Sequence, residues 1–147
     1  MKNLTPIYLE QFFAASVPIV WDCLTQIKHL QQWLFKELKH FKPEPFFTTE
    51  FAYNHEGKIF THCWEVMEII PQKQLVLGWR YKEYPGVAKV RFKLSTSPNG
   101  CIVELTENLI DPFPEIEEFK RKNRKAGWKD LLHTRLFNYI KRLFRVN

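Results

Sequence analysis

The amino-acid sequence predicts an α+β domain, with an antiparallel sheet followed by a long helix at the carboxyl end. Apolar and polar residues alternate along several segments between residues 47 and 105, and turn-forming residues separate these segments. A sustained helical stripe of apolar residues begins at residue 126. The chain has 147 residues, a length that suits one domain, so we expect a single domain over residues 1–147.

The amino-terminal segment predicts one strand followed by helix. Residues 7–13 form a short apolar and aromatic run that is typical of a strand. Ser16 is a suitable helix N-cap, and Pro18 is tolerated in the first helical turn because its missing amide hydrogen has no partner there anyway. Apolar residues then recur at helical spacing, which predicts two short helices or one bent helix between residues 17 and 35.

A meander of adjacent antiparallel strands is predicted in the middle of the chain. The prolines at 43 and 45 stop any preceding helix. Asn99-Gly100 is a strong hairpin signal, because this dipeptide accepts positive φ angles. The predicted strands are residues 47–53, 58–70, 75–81, 90–94 and 101–105. The strand at residues 90–94 alternates apolar with basic residues, so one of its faces should be buried.

The last third of the chain predicts one helix of about 20 residues, which is about 30 Å long and could cross a sheet. Residues 111–114 end the strand pattern, and an acidic segment with Glu115, Glu117 and Glu118 follows. The apolar stripe consists of Trp128, Leu131, Leu132, Leu136, Tyr139, Ile140 and Leu143. Acidic residues at the beginning of this helix and basic residues at its end would complement the helix dipole.

The positive charge is concentrated near the carboxyl end. The chain carries 22 Lys and Arg against 16 Asp and Glu, a formal net charge of +6. Residues 120–147 contain a basic stretch: Lys120, Arg121, Lys122, Arg124, Lys125, Lys129, Arg135, Lys141, Arg142 and Arg145. Such a stretch could bind phosphate backbones or an acidic partner. No aromatic platform or recognition motif accompanies it, so we favour the solvated face of an amphipathic helix and do not expect nucleic-acid binding.

The cysteines and the hydropathy pattern indicate a cytoplasmic protein without a metal or other cofactor. Cys23, Cys63 and Cys101 are far apart, and no pair has the spacing of a zinc site or a redox motif. No apolar stretch approaches the ~18 residues of a membrane span. The first residues lack the apolar segment and cleavage site of a signal peptide.

Two polar groups in the predicted third strand are candidates for chemistry. His62 and Cys63 are adjacent and should point to opposite faces, so they are a poor metal pair. We interpret His62 as a solvent-facing or internally satisfied histidine. Glu65 and Glu68 are three residues apart and, without a bulge, also face opposite ways, which argues against a paired acid and base. We therefore predict no catalytic residues.

Three segments resemble one protein family, and they occur in the family's order. Residues 15–22 resemble the opening in which a small-residue cap and a proline precede Val-Trp. Residues 65–79 resemble its strand, proline turn and strand ending in Trp, and Gly127-Trp128 resembles the Gly-Trp start of its last helix. The chain thus resembles the START-like, polyketide cyclase and birch-pollen-allergen superfamily, and within it the branch homologous to the activator of heat-shock-protein ATPase. Residues 45–49 lack the glycines usual there, which predicts a fuller or differently shaped cavity rim.

The resemblance implies a helix-grip fold, in which a curved antiparallel sheet wraps around the long C-terminal helix and two short helices follow the first strand. It also implies a cavity between sheet and helix that is often apolar and able to hold a small ligand. The residues expected to line it are Trp64, Val66, Leu77, Trp79, Tyr81, Phe92, Val103, Trp128, Leu132 and Tyr139. The same side chains would equally well fill a closed core, and that alternative stays open.

The predicted function is binding of a small, mostly apolar ligand, such as a lipid, a polyketide or an aromatic metabolite. Two alternatives stay open. One is a cyclase-like or hydrolase-like enzyme in which His62 or Glu68 positions a carbonyl substrate. The other is a protein-interaction module that resembles the chaperone-activator domain and uses its surface and the basic helix to bind a protein partner.

Overall fold

The computed structural model describes residues 4–144 of the chain, so Arg145 of the basic stretch lies outside the described residues. The strands are β1 (Ile7–Phe13), β2 (Thr48–His55), β3 (Lys58–Ile70), β4 (Gln74–Tyr81), β5 (Val87–Ser97) and β6 (Gly100–Asp111). The helices are α1 (Val17–Thr25), α2 (Ile27–Trp33), a 3-10 turn (Glu117–Phe119), α3 (Arg121–Lys129), a π-helical segment (Asp130–Leu136) and α4 (Phe137–Leu143). We call the last three elements together the C-terminal helix.

The six strands form one curved antiparallel sheet in the order β1-β6-β5-β4-β3-β2. Strands β2 to β6 are a meander, and β1 pairs with β6, where Ile7 is opposite Glu107. The C-terminal helix buries Trp128, Leu132 and Leu136. These features confirm the predicted α+β class and the helix-grip fold.

The turn between β5 and β6 is the hairpin that the sequence predicts. Asn99 has a φ of 65°, and Ser97 pairs with Gly100 across the turn. A Cβ atom on Gly100 would lie 2.1 Å from the backbone oxygen of Phe13, so only glycine fits beneath the end of β1.

The C-terminal helix begins at Arg121, five residues before the predicted start at residue 126, and its first turn is basic. The expectation of acidic residues at its beginning was therefore wrong, because Glu117 lies in the preceding 3-10 turn. Arg121 instead donates from Nε to the carbonyl of Thr5, at 3.0 Å, and from Nη2 to that of Pro6, at 2.8 Å. Helical periodicity did not predict this first part of the helix, because residues 121–125 are all polar and show no apolar spacing. No helix among residues 4–144 is long and apolar enough to cross a membrane.

The middle of the C-terminal helix is wound more widely than an α-helix. In an α-helix each step of four residues advances the side chain by about 40°, so three residues spaced by four would spread over about 80°. The π-helical winding of Asp130–Leu136 reduces this drift. It thereby keeps Trp128, Leu132 and Leu136, which are spaced by four, buried on one face.

Candidate functional site

A cavity of about 550 Å³ lies between the inner face of the sheet, the 3-10 turn and the C-terminal helix. Its volume is in the range of small-molecule sites. Aromatic side chains provide much of its lining: Phe35, Tyr53, Phe60, Trp79, Tyr81, Phe113, Phe119 and Trp128. Polar groups form the rest of the wall and most of the mouth: His55, Glu56, His62, Glu107, Glu117, Glu118, Asn123, Arg124, Asp130 and Arg135.

Trp79 is the centre of the aromatic wall. Its ring centroid is 5.1 Å from that of Trp128, with the planes at 84°, and 4.7 Å from that of Trp64. Edge-to-face contacts of this kind fix the rings relative to each other. Because Trp79 is on β4 and Trp128 on α3, their contact sets the spacing between the sheet and the C-terminal helix at the cavity.

His62 is a buried, hydrogen-bonded histidine in this wall. The Nε1–H group of Trp79 donates to its Nδ1 atom at 3.0 Å, so the neutral ring carries its proton on Nε2. The ring is stacked on Phe51 with a centroid distance of 4.9 Å. Burial lowers the pKa of His62 to about 3. Of the two interpretations of His62, the solvent-facing one is thus wrong, and inside the protein its acceptor Nδ1 is satisfied by Trp79.

The low pKa of His62 predicts a loss of stability in mild acid. The unfolded chain binds a proton near pH 6.5 and the folded chain only near pH 3. Between these values the unfolded state binds more protons, so the free energy of unfolding should fall as the pH falls, by at most about 1.4 kcal/mol per pH unit from this group. Urea unfolding at several pH values between about 5 and 7 would measure the slope, since most carboxylates titrate below that range.

The matched variant for this prediction is His62→Gln, whose amide oxygen can still accept from Trp79. Its free energy of unfolding should depend on pH less steeply than that of the wild type. Equal slopes for the two proteins would show that His62 titrates normally in the folded chain.

Glu107 forms a buried polar cluster with Arg124 and Trp128. Glu107 is 4% exposed and lies on the inner face of β6. Its Oε1 atom accepts from Nε of Arg124 at 2.9 Å, and its Oε2 atom accepts from Nε1 of Trp128 at 2.8 Å. Arg124 also donates from Nη1 to the carbonyl of Phe119 at 2.6 Å. The cluster therefore joins the sheet, the 3-10 turn and the C-terminal helix where they enclose the cavity.

Sequence reasoning missed this cluster. It gave Glu107 no role and assigned Arg124 to a solvated basic face, which was wrong for this residue. The inward alternation of Cys101, Val103 and Leu105 continues to position 107, so a carboxylate on the buried face of β6 was the available signal. An inward carboxylate requires a buried partner, which Arg124 provides.

Tyr81 lies between His62 and the Glu107 cluster. Its ring centroid is 4.8 Å from that of His62. Burial raises the pKa of Tyr81, and the nearby Glu107 carboxylate raises it further, so the hydroxyl stays protonated. Tyr81 therefore presents an O–H group to the cavity at ordinary pH.

The mouth of the cavity is crossed by an ion pair between the β2–β3 hairpin and the 3-10 turn. Nζ of Lys58 is 2.9 Å from Oε2 of Glu118, and this hydrogen bond lowers the pKa of Glu118. Acidic side chains predominate around it, since Glu56, Glu117 and Asp130 also line the cavity.

The ten predicted lining residues separate into three groups. Trp79, Tyr81 and Trp128 line the cavity. Phe92 and Leu132 border a void of about 10 Å³ together with Trp79 and Trp128. The others are buried in the hydrophobic core: Trp64, Val66, Leu77, Val103 and Tyr139. The cavity is thus confined to the end of the sheet beside the 3-10 turn.

Tyr139 shows why the far end is filled. Its hydroxyl is hydrogen-bonded to Nδ1 of His29 on α2, and Nη2 of Arg135 donates to the carbonyl of Leu34 at 2.6 Å. Helix α2 and the residue that follows it therefore pack against the second half of the C-terminal helix. The space between helix and sheet there is closed.

The structure places the candidate carboxylates of β3 outside the cavity. A bulge at Met67 shifts the register between Val66 and Glu68, so Glu65 and Glu68 are both exposed. Glu68 accepts a hydrogen bond from Nε2 of Gln74 at 2.8 Å. The expectation that they face opposite ways held only for a strand without a bulge, and β3 does not meet that condition. Within residues 4–144, no group of three or more His, Cys, Asp or Glu side chains is arranged to hold a metal ion.

Comparison with known families gives one match over most of the chain. The family described as activator of Hsp90 ATPase homolog 1-like protein matches residues 14–141. That range includes α1, both sides of the cavity and nearly all of the C-terminal helix. No curated protein matched the sequence.

Several solved structures have the same fold. DynU16, described as a protein in the dynemicin biosynthetic locus, is similar with a TM-score of 0.74 and 20% identity, covering 92% of this chain and 47% of DynU16. This chain therefore spans about half the length of DynU16. CV1439 from Chromobacterium violaceum has a TM-score of 0.75 and 13% identity over 97% of this chain and 98% of that one. A Rhodobacter sphaeroides protein has a TM-score of 0.76 and 20% identity over 97% and 95%. Identities this low show the fold alone.

Proposed function

Because the chain belongs to the activator of Hsp90 ATPase homolog 1-like family, we propose that it binds a small, mostly apolar ligand in the cavity between sheet and C-terminal helix. Family membership is compatible with ligand binding, with cyclase activity and with protein interaction in general. The observation that carries the proposal is the cavity of about 550 Å³ with its aromatic wall. Such a lining supplies affinity through apolar contact, while a few polar groups orient the ligand.

The placement of the ionisable groups favours binding over catalysis. Glu65 and Glu68 are on the solvent side of β3. The carboxylate on the inner wall of the cavity, Glu107, accepts from Arg124 and Trp128 through both of its oxygens, and the other lining carboxylates lie at the mouth. The basic nitrogen of His62, Nδ1, accepts from Trp79, and burial holds the pKa of the ring far below neutral. A general base needs a free acceptor with a pKa near the working pH.

Gly127 provides a direct test of the proposed site. It lines the cavity, and a Cβ atom added there would meet nothing within 4 Å. The first side-chain atom of Gly127→Phe is therefore accommodated, and we expect its ring to narrow the cavity. Ala126→Phe is the matched control, because Ala126 is the exposed preceding residue of α3 and is not part of the lining.

The neutral fluorophore prodan is a suitable probe, since its emission shifts to shorter wavelength in an apolar site. We expect the shift with the wild type and with Ala126→Phe, and its loss with Gly127→Phe. Native mass spectrometry of freshly purified wild type should in addition show a bound small molecule. Equal shifts for all three proteins would place the probe elsewhere, and no shift with the wild type would contradict ligand binding.

A further inference from the structure

We propose that the ligand of this cavity presents an uncharged hydrogen-bond acceptor, such as a ketone, quinone or amide carbonyl, to donors on the cavity wall. This inference rests on the proposed binding function and specifies the chemistry of the ligand. It follows from a comparison of the hydrogen-bond acceptors on the inner wall, which have partners, with the donors there, several of which have none.

The acceptors on the inner wall are occupied, and the free acceptors of the described lining are carboxylates at the mouth, where Oε1 of Glu118 is buried without a partner. Both oxygens of Glu107 receive hydrogen bonds, one from Arg124 and one from Trp128. Nδ1 of His62 receives the Nε1–H group of Trp79. A ligand that offers only donors would find few partners here.

Several donors on the same wall remain free among the described residues. The proton of His62 is on Nε2, which has no partner there. Arg124 uses Nε and Nη1, which leaves Nη2. The Tyr81 hydroxyl hydrogen likewise has no acceptor. All three side chains line the cavity. Donors that a bound ligand leaves unpaired in a dry site cost binding free energy, so an acceptor on the ligand is selected.

The charge around the cavity favours a neutral acceptor over a carboxylate. The positive charge of Arg124 is paired with Glu107 at 2.9 Å. The donors of His62 and Tyr81 are uncharged. Glu56 and Asp130 line the cavity without a Lys or Arg partner among the described residues, outnumber Arg135, the lining cation without a carboxylate partner there, and would repel an anionic ligand. A carbonyl oxygen accepts the same hydrogen bonds without that repulsion.

Three naphthalene derivatives of similar shape test the inference. Acetylnaphthalene has a neutral carbonyl, ethylnaphthalene has no acceptor, and naphthoate has a carboxylate. Displacement of prodan from the wild type should rank acetylnaphthalene first. If ethylnaphthalene and acetylnaphthalene bind equally well, or if naphthoate binds best, the inference is wrong while the cavity remains a binding site. If none of the three binds and prodan does not bind, the proposed function fails as well.

Tyr81→Phe isolates one donor, because it removes a single hydroxyl and keeps the ring. Affinity for acetylnaphthalene should fall about 3- to 10-fold, as expected for one neutral hydrogen bond, and affinity for ethylnaphthalene should stay constant. Tyr8→Phe is the matched control, since Tyr8 is 50% exposed on the outer face of β1. An equal change for both ligands would show that Tyr81 acts only through packing, which would overturn its role as a donor.

Discussion

Replacing Glu107 with alanine is expected to lower the free energy of unfolding by about 3–5 kcal/mol, because it leaves the buried charge of Arg124 unpaired. The two side chains are 4% and 10% exposed, so water cannot replace the lost carboxylate. The Nε1–H group of Trp128 loses its acceptor in the same variant. Urea unfolding followed by tryptophan fluorescence would measure the change.

Two further variants test whether the lost stability is due to the unpaired buried charge of Arg124. In Glu107→Leu with Arg124→Leu, no unpaired charge remains, so much of the lost stability should return. Glu118→Ala breaks the exposed ion pair with Lys58 and should cost far less than Glu107→Ala. A double variant as unstable as Glu107→Ala alone would show that the cost is due to lost packing.

Replacing Trp128 with alanine is expected to lower the free energy of unfolding by about 3–5 kcal/mol and to abolish prodan binding. Trp128 is 8% exposed, contacts Trp79 across the cavity and donates to Glu107. The substitution therefore removes part of the core, part of the cavity wall and one hydrogen bond of the buried cluster. Chemical unfolding and prodan titration would measure the two effects separately.

Trp128→Phe separates these contributions, because it keeps an aromatic ring and removes the N–H group. We expect a loss of about 1–3 kcal/mol, the cost of an unsatisfied buried acceptor on Glu107. An alanine variant that keeps full stability while prodan affinity vanishes would mean that Trp128 only lines an open site and does not hold the helix on the sheet.

Local patterns predicted most of the strands, because each has at least one buried face and turn signals separate the strands of the meander. The run at residues 58–70 coincides with β3, and Asn99-Gly100 closes the β5–β6 hairpin. The bulge at Met67 had no such signal, since the extra residue is apolar and exposed. The start of the C-terminal helix was also hidden, because residues 121–125 have no apolar residue to reveal a period.

The site was predicted only in part, because alternation shows which side chains point inward and does not show where space remains. Trp79, Tyr81 and Trp128 line the cavity as expected, whereas Val103 and Tyr139 point inward at places filled by neighbours. Phe113 and Phe119 come from the loop after β6, whose path no periodicity describes.

The pairing of β1 with β6 has a consequence for synthesis on the ribosome. Strand β1 is made first, and it is an edge strand with β6 as its neighbour. Ile7 is opposite Glu107, a separation of 107 − 7 = 100 residues. At a synthesis rate of about 5–20 residues per second, β1 waits on the order of 5–20 s for the strand that pairs with it. During that interval the backbone hydrogen-bonding groups of β1 lack the strand with which they pair.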